Sequence, residues 1–265
     1  MKTSIVQRFI ASYRKRFGKP KSRARKYVDR TLSVLVGIWV LLLFFPQPLF
    51  AYSVRVGRFT VCSDQPIPAN IGSVIALADS RLTASSLNSS DDTFSIIIAN
   101  STWRRMLMSR LGAKAFGTSN TLTGHTVLNR SDVSADLCFS GMPKNNQRSL
   151  HSVIAHECTH QLLRRRLGFV QALRLPTWKN EGYCEYVAGE PSFDVSKGIK
   201  LLANGQSDPS PSFLYLKYYL AVRQALDVKG LSFVELVSQS LDAESLAEQA
   251  AEVLGSPDAG ETGQP

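Results

Sequence analysis

The sequence predicts an α+β protein: a small N-terminal β-sheet with helices, followed by a helical C-terminal part. Three observations carry this. Short alternating or β-branched runs, SVRVGRFTV at 53–61, FSIIIA at 94–99, TLTGHTVL at 121–128 and ADLCFS at 135–140, all fall before residue 141. From Arg148 the apolar spacing turns helical, over 148–166, 178–188 and again in runs from 213 to 254. With 265 residues and 44% apolar content the chain can bury a sizeable core.

The net charge of +10 sits at one end. Residues 1–30 carry eleven Lys or Arg against Asp29 alone, while the rest of the chain balances twenty basic against twenty acidic side chains. The basic excess therefore belongs to a tail, and no nucleic-acid partner is expected because no reader motif adjoins it. Next comes Thr31 to Phe45 (TLSVLVGIWVLLLFF), and no charge appears until Arg55. A basic stretch before an apolar one marks the cytoplasmic side of a membrane. This predicts a cytoplasmic tail over 1–30, a single-pass anchor over 31–53, and a periplasmic or extracellular body over 54–254. Fifteen helical residues reach about 22 Å, short of the roughly 30 Å hydrocarbon core, and Pro46 and Pro48 oppose a continuation. A cleaved signal sequence fits as well, cut after Ser53 with Ala51 and Ser53 at the −3 and −1 positions. Residues 255–265, polar and rich in Gly and Pro, are predicted to be disordered.

Within the body, 53–61 reads as one strand, ended by Gln65-Pro66-Ile67-Pro68. Asn70 to Leu82 reads as an amphipathic helix, and a Ser, Thr and Asn-rich loop follows to Asp92. Phe94 to Ala99 suits a buried strand. Thr102 to Leu111 reads as a short helix exposing Arg104, Arg105 and Arg110. The runs at 121–128 and 135–140 are two further strands. Arg148 to Arg166 is helical, closed by Arg164, Arg165 and Arg166 at the carbonyl end of the dipole and terminated by Gly168. Pro176-Thr177 is a helix-start signal with Thr177 as N-cap, leading into WKNEGYCEYVA. Helical runs over 213–228, 232–241 and 243–254 complete the chain.

The helix predicted at 148–166 contains His156-Glu157-Cys158-Thr159-His160. Positions four apart share a helix face, so His156 and His160 can aim two imidazoles at one metal ion. Glu157, a quarter turn away, can reach a metal-bound water without ligating. Zinc hydrolysis needs a third protein ligand and an open fourth position. Glu181, twenty-one residues beyond His160, is the candidate ligand, and Glu185, one turn further, can accept the free N–H of a ligating histidine. Spacing alone leaves the roles of the two carboxylates exchangeable.

The remaining His and Cys residues read as lying outside the metal site. His125, in a strand, is expected to face solvent or to hydrogen-bond locally, and His151, five positions before His156 and rotated off the metal face, to be structural or exposed. Cys158 points to the core side of its helix. Export would permit disulfides among Cys62, Cys138, Cys158 and Cys184; Cys62 with Cys138 is the preferred pair, and a pool of buried free thiols is the alternative.

The segments VIAHECTHQLL (153–163) and WKNEGYCEYV (178–187) resemble the gluzincin clan of zinc metallopeptidases, the thermolysin-like and aminopeptidase-like group, and are most similar to its small, membrane-anchored bacterial type. The match covers about forty residues, in the clan's order and spacing. It implies one Zn²⁺ per chain held by His156, His160 and Glu181, with Glu157 as general base and then proton donor and Glu185 as partner of His156. Peptide or protein would be the substrate. Many members of the clan supply a donor to the tetrahedral intermediate from a later helix. Here Tyr215, Tyr218 and Tyr219 are available, Tyr215 being the most similarly placed. The alternatives are a catalytically silent gluzincin-like domain that binds a peptide or cell-envelope partner, and a zinc hydrolase of a non-peptide amide.

Overall fold

Residues 22–109, 114–120, 122–142 and 146–255 are described by the structure, a computed structural model. The basic residues 1–21, Arg110 and the polar end 256–265 lie outside the described residues. The chain divides into two units, Met1–Pro46 and Gln47–Pro265.

The first unit is built on α1, Arg23–Phe44, a helix of 22 residues that starts well before the apolar run. The Ser22 hydroxyl accepts the N–H of Arg25 at its N-terminus, and the helix stops ahead of Pro46, because the residue before proline disfavours helical backbone. None of its residues is buried. By length and composition it can cross a membrane, as can a signal sequence.

In the second unit the run 53–61 is not one strand but a hairpin, β1 (Tyr52–Val56) and β2 (Phe59–Ser63). The apolar residues change parity across Gly57-Arg58, from Val54 and Val56 to Phe59 and Val61. A turn with Gly57 at φ +56° places Val56 opposite Phe59 and Val54 opposite Val61. After β2 comes α2 (Ile71–Ala84), which buries Ile71, Val74, Ile75, Ala78 and Leu82 at the spacing of one helical face. It leads to β3 (Phe94–Ile98), which pairs in parallel with β2. Next come α3 (Thr102–Met108), β4 (Gly117–Ser119) and β5 (His125–Leu128). The five-stranded sheet runs β1-β2-β3-β5-β4, with β5 parallel to β3 and β4 antiparallel to β5 at the edge. As the central strand β3 is apolar along almost its whole length, as burial on both faces requires.

The face expected outward on α3 is reversed. Arg104 pairs with Asp64 and the Arg105 guanidinium donates to Asn129 Oδ1, while Trp103 and Met106 are exposed. A second sheet, β6 (Ser131–Asp132), β7 (Leu137–Phe139) and β8 (Gln147–Ser149), is antiparallel throughout. It delivers the chain directly into α4 (Leu150–Leu167), so Arg148 and Ser149 belong to a strand rather than to the helix.

The rest is helical: α5 (Phe169–Arg174), α6 (Thr177–Ala188), α7 (Val195–Ala203), α8 (Pro211–Arg223) with a π-helical last turn (Gln224–Val228), α9 (Phe233–Ser238) and α10 (Ala243–Gly255). Pro176, not Thr177, caps α6, and Thr177 is its first helical residue. A capping box between Ser232 and Glu235 starts α9. All four cysteines are buried free thiols. The preferred Cys62–Cys138 bridge is absent: Cys62 lies in the first sheet against Ser53, and Cys138 lies in the second sheet with its thiol donating to the Phe116 carbonyl.

Candidate metal centre

Two helices make the centre. Thirteen of the eighteen residues of α4 are buried, so this helix is fixed on nearly every side and its histidines point along set directions. His156 and His160 are one turn apart, their rings nearly perpendicular with centroids 5.0 Å from each other. On α6, Gly182 allows close approach to α8. A Cβ there would sit 2.5 Å from the Tyr218 carbonyl oxygen.

This packing brings Glu181 over the histidines. Its Oε2 lies 3.4 Å from His156 Nε2 and 3.6 Å from His160 Nε2. Burial alone would raise the Glu181 pKa, but the two imidazoles hold it well below the usual carboxylate range. The other ring nitrogens face away from this point. His156 Nδ1 is 3.2 Å from Glu185 Oε1. His160 Nδ1 is 3.0 Å from Asn180 Oδ1 and 3.3 Å from Cys184 Sγ. Ligand atoms of His156, His160 and Cys184 fall within 4.8 Å of one another, a cluster that could hold a metal ion. Burial lowers the affinity of His156 for a proton, yet Glu185, Glu181 and Glu157 outweigh it and raise the pKa to about 10. The pocket thus stabilises positive charge.

Behind Glu185 stands Arg148, whose Nη1 and Nη2 donate to the two carboxylate oxygens at 2.9 and 2.8 Å. Its Nε donates to the Ser152 hydroxyl, so the guanidinium is held from two sides. Burial would raise the Glu185 pKa, and Arg148 and His156 lower it below its ordinary value.

Glu157 is buried and faces β4 across a tight contact: a Cβ on Gly117 would lie 2.9 Å from Glu157 Cγ. The backbone of Ser119 lies beside its carboxylate and favours the charged form. Burial pushes the Glu157 pKa up, and His160 and His156 only partly oppose this. Glu157, His156, His160 and Glu181 all line one cleft of about 1100 Å³, walled by β4 on one side and by Phe169 and Leu173 of α5 on another. Of the three tyrosines considered, Tyr215 lines this cleft. Burial, with Glu181, Glu185 and Glu157 nearby, pushes its phenol up to about 12.

The other two histidines are engaged elsewhere. Nδ1 of His125 is 2.9 Å from the Ser95 hydroxyl. Buried rather than exposed, His151 lies between Asp136 and Glu190. Cys158 is fully buried on the core side of α4, and burial keeps its thiol protonated.

Sequence reasoning missed Arg148, Asn180 and Gly117. Asn180 carried a signal, being the polar neighbour of Glu181 on a helix that must face His160. Arg148 carried none, since its partner is 37 residues away. No protein-family model and no curated protein matches this chain.

Proposed function

We propose that the chain is a zinc-dependent peptidase acting on peptide or protein substrates, with its body exported behind the N-terminal helix as a membrane anchor. The observation that carries this reading is the placement of Glu181 Oε2 at 3.4 and 3.6 Å from the two Nε2 atoms. Tetrahedral zinc with ligand bonds of about 2.0–2.2 Å sets its ligand atoms roughly 3.4 Å apart. Cys184 competes for the third position, but its Sγ lies on the Nδ1 side of His160, and burial keeps its thiol protonated well above the usual range. An ionised carboxylate facing both Nε2 atoms is the better donor. His156, His160 and Glu181 would hold the ion, while Glu185 and Asn180 fix the two rings from behind.

A bound Zn²⁺ supplies Lewis acidity, which acidifies water and polarises a carbonyl. The side chains do the rest. Glu157, with its raised pKa, is suited to take a proton from the attacking water and return it to the leaving amine. Tyr215, protonated at neutral pH, can donate its O–H to the oxyanion. β4 and α5 form the walls against which a substrate would lie. The basic residues before α1 set its orientation, N-terminus in the cytoplasm, by the positive-inside rule.

Zinc content and hydrolysis of the purified full chain test the proposal. The wild type is expected to carry about one zinc. Glu157→Gln should keep the zinc and lose hydrolysis by about 10²-fold or more. Glu181→Ala should lose the zinc, whereas Cys184→Ala should keep it. A wild type without zinc, or a Glu157→Gln chain that turns over normally, defeats the reading.

A further inference from the structure

On α3, Met108 is buried and Leu107 half-buried, while Trp103 and Met106 face solvent and the arginines turn inward. Trp103 and Met106, three positions apart and so on one side of the helix, are 56% and 58% exposed. Arg104 is drawn toward the fold by Asp64, with its guanidinium 4.7 Å from the Trp103 ring centre. A helix that hid these two large side chains in its own core would run the other way round. Side by side on one face, they form a small apolar patch open to a partner.

Strand register says where this helix stands. Tyr52 pairs with Ser63, and Ser63 pairs with Ile98, so the chain enters β1 at the C-terminal end of β3. The start of α3 lies at that same end: Asp64 accepts the N–H groups of Asn100 and Ser101, just before Thr102. Seven residues, 45–51, connect the end of α1 to β1. Fully extended they span about 25 Å. Another helix with exposed apolar residues, α5, follows the close of α4, which stands at the opposite end of the sheet, because Arg165 there binds the Thr93 carbonyl beside the start of β3.

We infer that α3 is a bilayer-docking face, with Trp103 and Met106 seated in the interfacial region of the membrane that the chain's own anchor spans. The inference rests on reading α1 as that span. A tryptophan with an apolar neighbour and an arginine against its ring is the chemistry of the headgroup boundary, where an amphipathic ring meets acyl chains on one side and phosphates on the other. The seven connecting residues tether this end of the sheet to the end of the span, which raises the effective concentration of membrane surface there.

Tryptophan quenching in the full chain, reconstituted into phosphatidylcholine vesicles with acyl chains brominated near the headgroup, tests this. The three tryptophans are Trp39 in α1, Trp103 in α3 and Trp178 in α6. Trp103→Phe replaces an exposed ring and Trp39→Phe a half-buried one in α1, and the quenching lost in each variant reports that ring's contact with lipid. Both variants are expected to lose part of the wild-type quenching. Loss in Trp39→Phe but none in Trp103→Phe overturns the docking of α3 and leaves the anchor standing. If Trp39→Phe loses none, the anchor reading fails and the docking falls with it.

Discussion

Arg148 and Glu185 meet with side chains only 6% and 2% exposed. Removing one member of such a pair leaves the other charged in a place without water, the costly case for a buried ion pair. Arg148→Met is therefore expected to destabilise the fold by about 3–5 kcal/mol in urea denaturation and to loosen His156 through Glu185. Because the folded pKa of Glu185 lies below its ordinary value, the pair contributes stability that is fully present above about pH 4.5 and is lost as pH falls through the folded pKa. Acid titration of stability should be flatter in Glu185→Gln over that range. For Tyr215, a phenol held to about 12 stays protonated across the neutral and mildly alkaline range. Tyr215→Phe should lower kcat about 10- to 10³-fold with little change in KM, and a fall in KM-limited binding alone would remove it from the reaction. The histidines and Glu157 were legible because one helix fixes their spacing. The residues that hold them were not, because Arg148 and Gly117 reach the site through tertiary contacts with no sequence period.

The long periodic helices could be read almost to their ends, as could β3 and the start of α3, whereas β4, α5 and α7 could not. α4 and α6 each carry a sustained pattern, whereas β4 is three residues with a glycine, and α5 is six residues without a buried face. Packing explains why such small pieces matter. Gly182 on α6 is closed in by backbone, so a methyl group there, 2.5 Å from the Tyr218 carbonyl oxygen, has no flexible side chain to push aside. Gly182→Ala should separate α6 from α8, cost about 1–3 kcal/mol, and weaken zinc retention by shifting Glu181. Gly72→Ala on α2 is the control, since nothing lies within 4 Å of its added carbon. It should be neutral or stabilise by up to about 1 kcal/mol. Equal effects in thermal melts of the two variants would show that the α6–α8 approach is not what places Glu181.

At the scale of the whole chain the open choice in the sequence was between an anchor and a signal sequence cut after Ser53. The helix is longer than the apolar run by its basic first turns, whose charges can stand at the headgroups, and its length and composition suffice to cross a membrane. The globular unit also uses the residues that cleavage would remove. Tyr52 and Ser53 pair with Ser63 and Cys62, two of the five positions that hold β1 at the edge of the sheet. A cut after Ser53 would leave a three-residue edge strand and expose β2 to solvent. The chain is therefore expected to keep its N-terminal segment, to sediment with membranes through a high-salt wash, and to be released by detergent. Intact mass would match the full sequence, and protease added from outside the cell membrane should digest the globular unit while sparing the eleven-fold basic end. A soluble chain beginning at Val54 would show instead that the sheet tolerates the loss and that α1 serves only to export it.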